Sequence, residues 1–116
     1  MLKDDPNNYS VLKDVLLLQL DLDYYEEAAQ RSKKTIELFP AQPVFYLING
    51  VANNKLKYPK EAIESLETGL DYVVDDVKME IDFYKQLSLA YQLDNNITKS
   101  QMFAKKAEEL TKGQRP

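Results

Sequence analysis

The chain contains no histidine, no cysteine and no tryptophan, and only two of its 116 residues are arginine. Without cysteine or histidine it has no thiol nucleophile, disulfide, imidazole base or zinc site of the usual kind. Its three glycines form no glycine-rich loop that could hold a phosphate group. Catalysis would therefore have to rely on carboxylates, lysines, tyrosines or serines.

Charge and hydropathy exclude two further classes of partner. Lysine and arginine number 15 against 19 aspartates and glutamates, which gives a net charge of −4. Because nucleic-acid-binding proteins usually carry a basic stripe with arginines, the sequence predicts no nucleic-acid partner. No apolar run approaches the ~20 residues that span a bilayer, so we expect no membrane insertion by this segment. The first residues, "MLKDDPNN", lack the apolar stretch of a signal peptide.

Related residues recur at a fixed distance along the chain. Ala28 and Ala62 are 34 residues apart, as are Ile36 and Leu70. A later copy follows after 38 residues, since Ala62 corresponds to Ser100. The same four extra residues separate every later pair, so they represent one insertion, around "DDVKME". A repeat of this length is typical of a solenoid built from helical hairpins.

Three segments in this register resemble the tetratricopeptide repeat, a helix–turn–helix unit. They are "DYYEEAAQRSKKTIELFP" (23–40), "YLINGVANNKLKYPKEAIESLETGL" (46–70) and "YKQLSLAYQLDNNITKSQMFAKKAEEL" (84–110). The resemblance implies an all-α fold, a right-handed α-α superhelix of three helix–turn–helix repeats. Gln19 and Asn53 depart from the family pattern, because they occupy a position where it prefers the tyrosine that Tyr91 supplies.

Apolar periodicity and helix-stopping residues divide the chain further. We predict helices near 9–21, 24–39, 43–56, 59–74, 77–93 and 97–111. The four extra residues are close to one helical turn and would lengthen the fifth helix or the fourth. As a single domain, the chain then comprises residues 1–8 as the tail of a preceding repeat, repeats at 9–42, 43–76 and 77–112, and a tail at 113–116.

The resemblance implies a concave groove lined by the first helix of each repeat. Leu17, Val51 and Leu89 share one repeat position and would form an apolar floor. Some family members clamp a C-terminal carboxylate and need Asn and Arg where these three residues stand, so we expect no such clamp here. The remaining predicted groove residues are Lys13, Leu20, Leu47, Asn54, Lys55 and Lys85, with Ser10, Val44, Asp82 and Gln92 beside them. The groove would hold an apolar peptide or helix of some acidic character, or these residues would merely complete packing between first helices.

One further apolar stripe belongs to the first helix alone. Val11, Leu18 and Leu22 correspond to residues that face the preceding repeat in repeats two and three. Since the ends of solenoids usually need polar caps, we expect these three side chains to form an end face that another chain or a further repeat covers. Self-association through this face is one outcome; a tail folded back over it is the alternative.

Paired carboxylates give no sign of catalysis. Asp75–Asp76 and Glu26–Glu27 lie at predicted helix starts, where negative charge offsets the helix dipole. Asp21 and Asp23 lack the glycine and distal glutamate of a calcium loop.

The sequence therefore predicts no metal, no cofactor and no enzyme. It predicts a protein-interaction module, a scaffold or adaptor with a protein or peptide partner, or alternatively a structural or self-assembly segment of a longer, bacterial-type solenoid. Resemblance to bacterial members leaves the compartment open between cytoplasm and cell envelope.

Overall fold

The computed structural model describes residues 8–114, and this part of the chain is entirely helical between its turns. Three helical hairpins follow one another. The helices are α1 (Tyr9–Asp21), α2 (Tyr25–Leu38), α3 (Pro43–Lys55), α4 (Pro59–Leu70), α5 (Val77–Leu93) and α6 (Ile97–Gly113). The predicted all-α repeat architecture is confirmed, whereas the right-handed sense of the superhelix stays a prediction.

Local sequence explains where helices begin. Asn8, Asp76 and Asn96 precede α1, α5 and α6, and the side-chain oxygen of each accepts a hydrogen bond from the backbone N–H three residues ahead. These bonds satisfy N–H groups that have no partner within the helix. Pro43 and Pro59 occupy the first position of α3 and α4, where the missing N–H costs nothing.

The same turn connects both helices in every repeat. Asp23, Lys57 and Asn95 correspond by repeat position, and each has a left-handed backbone with φ of 62°, 65° and 62°. The following N–H donates to the carbonyl five residues back over 2.8 Å in all three cases, as in Tyr24 N to Gln19 O. This bond satisfies a carbonyl at the end of the first helix and reverses the chain into the second.

The four extra residues lie in α5. Repeat equivalence places the start of α3, Pro43, opposite Ile81, but α5 begins one turn earlier at Val77 and has 17 residues against 13 in α3. The prediction that α4 extends to residue 74 is wrong, because α4 ends at Leu70. Its end tightens into bonds between residues three apart, such as Tyr72 N to Gly69 O, which close the helix.

Two apolar clusters hold the repeats together. One lies between repeats one and two and contains Leu12, Leu16, Phe45 and Ile48. The other lies between repeats two and three and contains Tyr46, Ala62, Leu66, Phe83, Leu87, Ala90 and Tyr91. Ile36 of α2 packs against both clusters. Each repeat thus buries its apolar side chains against its neighbours, as in other solenoids.

Candidate functional site on the first helices

An apolar cavity of about 240 Å³ lies on the surface formed by α1, α3 and α5. We call it the first-helix cavity. It is lined by Leu17, Leu20, Val44, Leu47, Ile48, Val51, Asp82, Lys85 and Gln86. The structure therefore brings together residues from the first helices of all three repeats, and leaves room for an apolar side chain of a second molecule.

The predicted groove residues fall into two groups. Leu17, Leu20, Leu47, Val51 and Lys85 line the cavity. Leu17 is 42% exposed, whereas Leu20, Leu47 and Val51 are half-buried between neighbouring helices. These residues thus pack between neighbouring helices and also present accessible apolar surface; whether a peptide binds there stays a prediction.

Four other predicted groove residues lie outside this cavity. Leu89 is 38% exposed, and Lys55 is exposed in the last turn of α3. The ammonium nitrogen of Lys13 lies 5.6 Å from the centre of the Tyr9 ring, a cation–π arrangement. Asn54 is only 2% exposed. It is part of the contact between α3 and α5 rather than an open surface.

Asn54 is buried because its side-chain amide forms hydrogen bonds to Gln86 of α5. Its Nδ2 donates to the backbone oxygen of Gln86 at 3.1 Å and to the side-chain Oε1 of Gln86 at 2.9 Å. This pair fixes Gln86 beside the cavity. The sequence interpretation did not include Gln86 and Ile48 as groove residues; they share a repeat position with Asp14, and only the tertiary structure places them at the cavity.

One lysine and one aspartate are the charged residues that line the cavity. Lys85 lines it directly, and Lys13 and Lys55 lie on the same helices. The one acidic lining residue, Asp82, forms an ion pair with Lys78 at 3.6 Å, Nζ to Oδ2. Because Lys78 pairs with Asp82, Lys85 is the lining charge without a salt-bridge partner among the described residues.

The predicted end face is open to water in part. Leu18 and Leu22 are 56% and 51% exposed, and Val11 is half-buried. They lie on one side of α1. The proposed tail of a preceding repeat, residues 1–8, falls outside the described residues except for Asn8, which caps α1.

Residues 8–114 contain no cluster of acidic side chains of the kind that holds a metal ion. In this range no helix is both long and apolar enough to cross a bilayer. The hydrogen bonds of the described carboxylates go to tyrosines, helix N–H groups and lysines, as in Tyr84 Oη to Glu80.

The chain matches known proteins in three-dimensional structure but not in comparisons with family models or curated sequences. No protein-family model matches the chain, and no curated protein matches it in sequence. Solved structures of MamA match it over nearly its whole length. MamA of strain MSR-1 matches with a TM-score of 0.79 and 23% identity, over 98% of this chain and 63% of that one. MamA of strain AMB-1 matches with 0.81 and 25%, over 97% and 64%.

A more distant MamA has the same fold. The protein from Desulfovibrio magneticus RS-1 has a TM-score of 0.81 at 18% identity, over 99% of this chain and 63% of that one. The present chain thus spans less than two thirds of each of these MamA chains. Since fold is retained at such low identity, the six helices form the helical-repeat fold of the tetratricopeptide type that MamA also contains.

Proposed function

We propose that the chain is a non-catalytic protein-interaction module that binds an acidic, partly apolar peptide or helix on the first helices. The observation that carries the proposal is the first-helix cavity, in which Leu17, Leu47 and Val51 form an apolar floor beside Lys85. The likeness to MamA supports a repeat fold of a kind that serves protein binding. The apolar lining of the cavity, with Lys85 beside it, supports this surface as the binding site.

The size of the cavity suggests one anchoring side chain. A volume of about 240 Å³ suits a single large apolar residue of the bound peptide. Burial of a Leu-sized side chain contributes about 1.5–3 kcal/mol, and the loss of translational and side-chain freedom offsets much of it. We therefore expect micromolar affinity. The lysines would act mainly through the association rate, which falls as salt screens them.

The test compares two designed peptides that share leucines at helical spacing but carry either aspartates or lysines elsewhere. Binding is measured by fluorescence anisotropy at low and high salt. We expect the acidic peptide to bind in a salt-sensitive manner and the basic one to bind at least about tenfold more weakly. The double variant Leu17→Glu, Val51→Glu should lose binding, and its helicity is checked by circular dichroism.

A matched control lies on the second helix of repeat one. Leu38 is 50% exposed, and Leu38→Glu makes the same chemical change away from the cavity. This variant should bind like the wild type. Equal binding of the two peptides, or equal loss in Leu38→Glu, would rule out the first-helix cavity as the binding surface.

The exposed leucines of α1 favour a second function, self-association through the end face. Leu18 and Leu22 lie one helical turn apart and are both more than half exposed. Contiguous exposed apolar side chains commonly mark contact sites. A second chain covering this face would remove both side chains from water.

A further inference from the structure

A second cavity lies between α2 and α4. It is on the opposite side of α3 from the first-helix cavity. Its volume is about 470 Å³. The lining combines apolar side chains with polar groups from all three helices. Its residues are Ala29, Gln30, Lys33, Ile36, Tyr46, Asn49, Asn53, Tyr58, Glu61, Glu64, Ser65 and Thr68. We call it the α2–α4 cavity.

Repeat three shows what normally fills this space. Asn53 and Ser65 correspond to Tyr91 and Phe103, which lie 38 residues later. The rings of Tyr91 and Phe103 stack with centres 5.7 Å apart. Repeat two therefore has an amide and a hydroxyl in place of two aromatic rings, and their smaller volume leaves the cavity.

The floor of the cavity is a hydrogen-bond network centred on Asn49. Its Nδ2 donates to Ala29 O at 3.1 Å and to Ser32 Oγ at 2.9 Å. Its Oδ1 accepts from Ser65 Oγ and from Asn53 Nδ2. Asn49 thus has every polar atom satisfied and is fixed in one orientation.

The network also fixes Asn53 and leaves one of its atoms available. Asn53 Nδ2 donates to the backbone oxygen of Asn49 at 3.0 Å and to Asn49 Oδ1 at 2.9 Å. Because both of these atoms are acceptors, the nitrogen must face them, and the carbonyl Oδ1 of Asn53 is the atom left over. Asn53 as a whole is 7% exposed, and no hydrogen bond to this oxygen is found within residues 8–114. Since this oxygen is not one of the fully buried polar atoms without a partner, it is accessible from the cavity that Asn53 lines, and it is a fixed acceptor that a ligand there can reach.

The wall formed by α4 carries two carboxylates. Glu61 and Glu64 are three residues apart on the helix, where like charges repel. Both ion pairs found among the described residues involve other side chains. Lys33, on the α2 wall, is the single basic lining residue, so the cavity has an excess of negative charge.

The sign of the charge is reversed relative to repeat three. Glu61 corresponds to Lys99, whose ammonium lies 5.2 Å from the centre of the Tyr91 ring. Repeat three thus contains its own ring and its own cation. Repeat two lacks both, and has acceptors at the corresponding positions.

We propose that the α2–α4 cavity binds an alkylguanidinium or alkylammonium group, that is, a cation on an apolar stem. The N–H groups of the cation donate to Asn53 Oδ1 and to the carboxylates of Glu61 and Glu64, and its stem packs on Ile36 and the ring of Tyr58. Such a group is supplied by an arginine or lysine of a partner protein or by a free small cation. This site is separate from the first-helix cavity and does not depend on it.

The test uses three probes and follows amide signals of the full chain by NMR. N-acetyl-arginine methylamide represents a partner's side chain, the ethylguanidinium ion represents a free cation, and N-acetyl-norleucine methylamide is the uncharged control. We expect saturable millimolar shifts of the Asn53 side-chain amide and of residues 29–33 and 61–65 with the two cations only. Tighter binding of the arginine derivative indicates a partner protein, and tighter binding of ethylguanidinium indicates a free ligand.

Three variants complete the test. Asn53→Tyr places the ring of repeat three in the cavity and should abolish the shifts, with folding verified by circular dichroism. Glu64→Gln should weaken binding about threefold or more, because it removes a charged acceptor. Glu109→Gln makes the same change on α6, outside the cavity, and should have no effect. The proposal is overturned if the norleucine derivative binds equally, if no saturable shift occurs, or if Glu64→Gln and Glu109→Gln behave alike.

Discussion

Gly69 of α4 lies so close to Tyr46 of α3 that a β-carbon added to the glycine would overlap the β-carbon of Tyr46. That added atom would also lie 2.8 Å from Tyr46 Cγ and 3.0 Å from Phe83 Cε1 of α5. The three helices that join repeats two and three therefore meet at a point with no spare volume. A glycine inside a helix usually costs stability, and here close packing explains its presence.

The first prediction concerns this contact. Gly69→Ala should lower the free energy of unfolding by about 1–3 kcal/mol, because the backbone of α3 must shift to admit a methyl group. The gain of about 0.5–1 kcal/mol from replacing a helical glycine is smaller. Urea unfolding measures the difference. Gly113, where an added β-carbon meets nothing within 4 Å, provides the control, and Gly113→Ala should be neutral or stabilising. A Gly69→Ala protein at least as stable as the wild type would contradict the prediction.

The second prediction concerns alkaline pH. Burial, followed by its hydrogen bond to Glu67, raises the pKa of Tyr91 from 10.0 to about 12. The Tyr91 hydroxyl donates to Glu67 Oε2 at 2.6 Å, which joins α5 to α4. Because the folded pKa is the higher one, the stabilisation is complete below pH 10 and is lost as pH rises from about 10 towards 12. Urea unfolding across this range should show the loss.

A variant separates Tyr91 from other groups that titrate at high pH. Tyr91→Phe removes the ionisable hydroxyl and keeps the ring that stacks on Phe103. Its stability should be lower than that of the wild type at neutral pH and should decline less between pH 10 and 12. Part of the decline should persist, since burial also raises the pKa of Tyr46 and Tyr84. Parallel pH profiles for the two proteins would show that Tyr91 is not responsible.

The third prediction concerns the end face of α1. Leu18 and Leu22 are more than half exposed, so self-association would bury them. The double variant Val11→Lys, Leu18→Glu should therefore be more monomeric than the wild type in light scattering over a range of concentrations. Met102 of α6 is an exposed apolar residue elsewhere, and Met102→Glu should leave the association state unchanged. A wild-type chain that stays monomeric at high concentration would refute the idea.

Particular residues show why some features were predictable. The recurrence of Ala28, Ala62 and Ser100 at fixed spacing defined the repeat, because close helix packing needs a small side chain at that position in each copy. All three are buried. The extra turn was visible as a shift from 34 to 38 residues, but the spacing alone did not show which helix contains it. In the structure α4 ends at Leu70, and the ring of Tyr72 just beyond it stacks on Tyr46. The additional turn lies in α5.

The sequence by itself determined the all-helical repeat, the helix starts and the absence of thiol and imidazole chemistry, because these depend on residue type and on spacing along the chain. Only the tertiary structure decided which polar side chains are buried and what they bond. Asn54 was expected on an open groove and instead bonds to Gln86, 32 residues away. Asn53 was only a departure from a pattern, and the fold made it part of a cavity between α2 and α4. Contacts of this kind depend on how repeats are placed against each other, which periodicity within one helix does not specify.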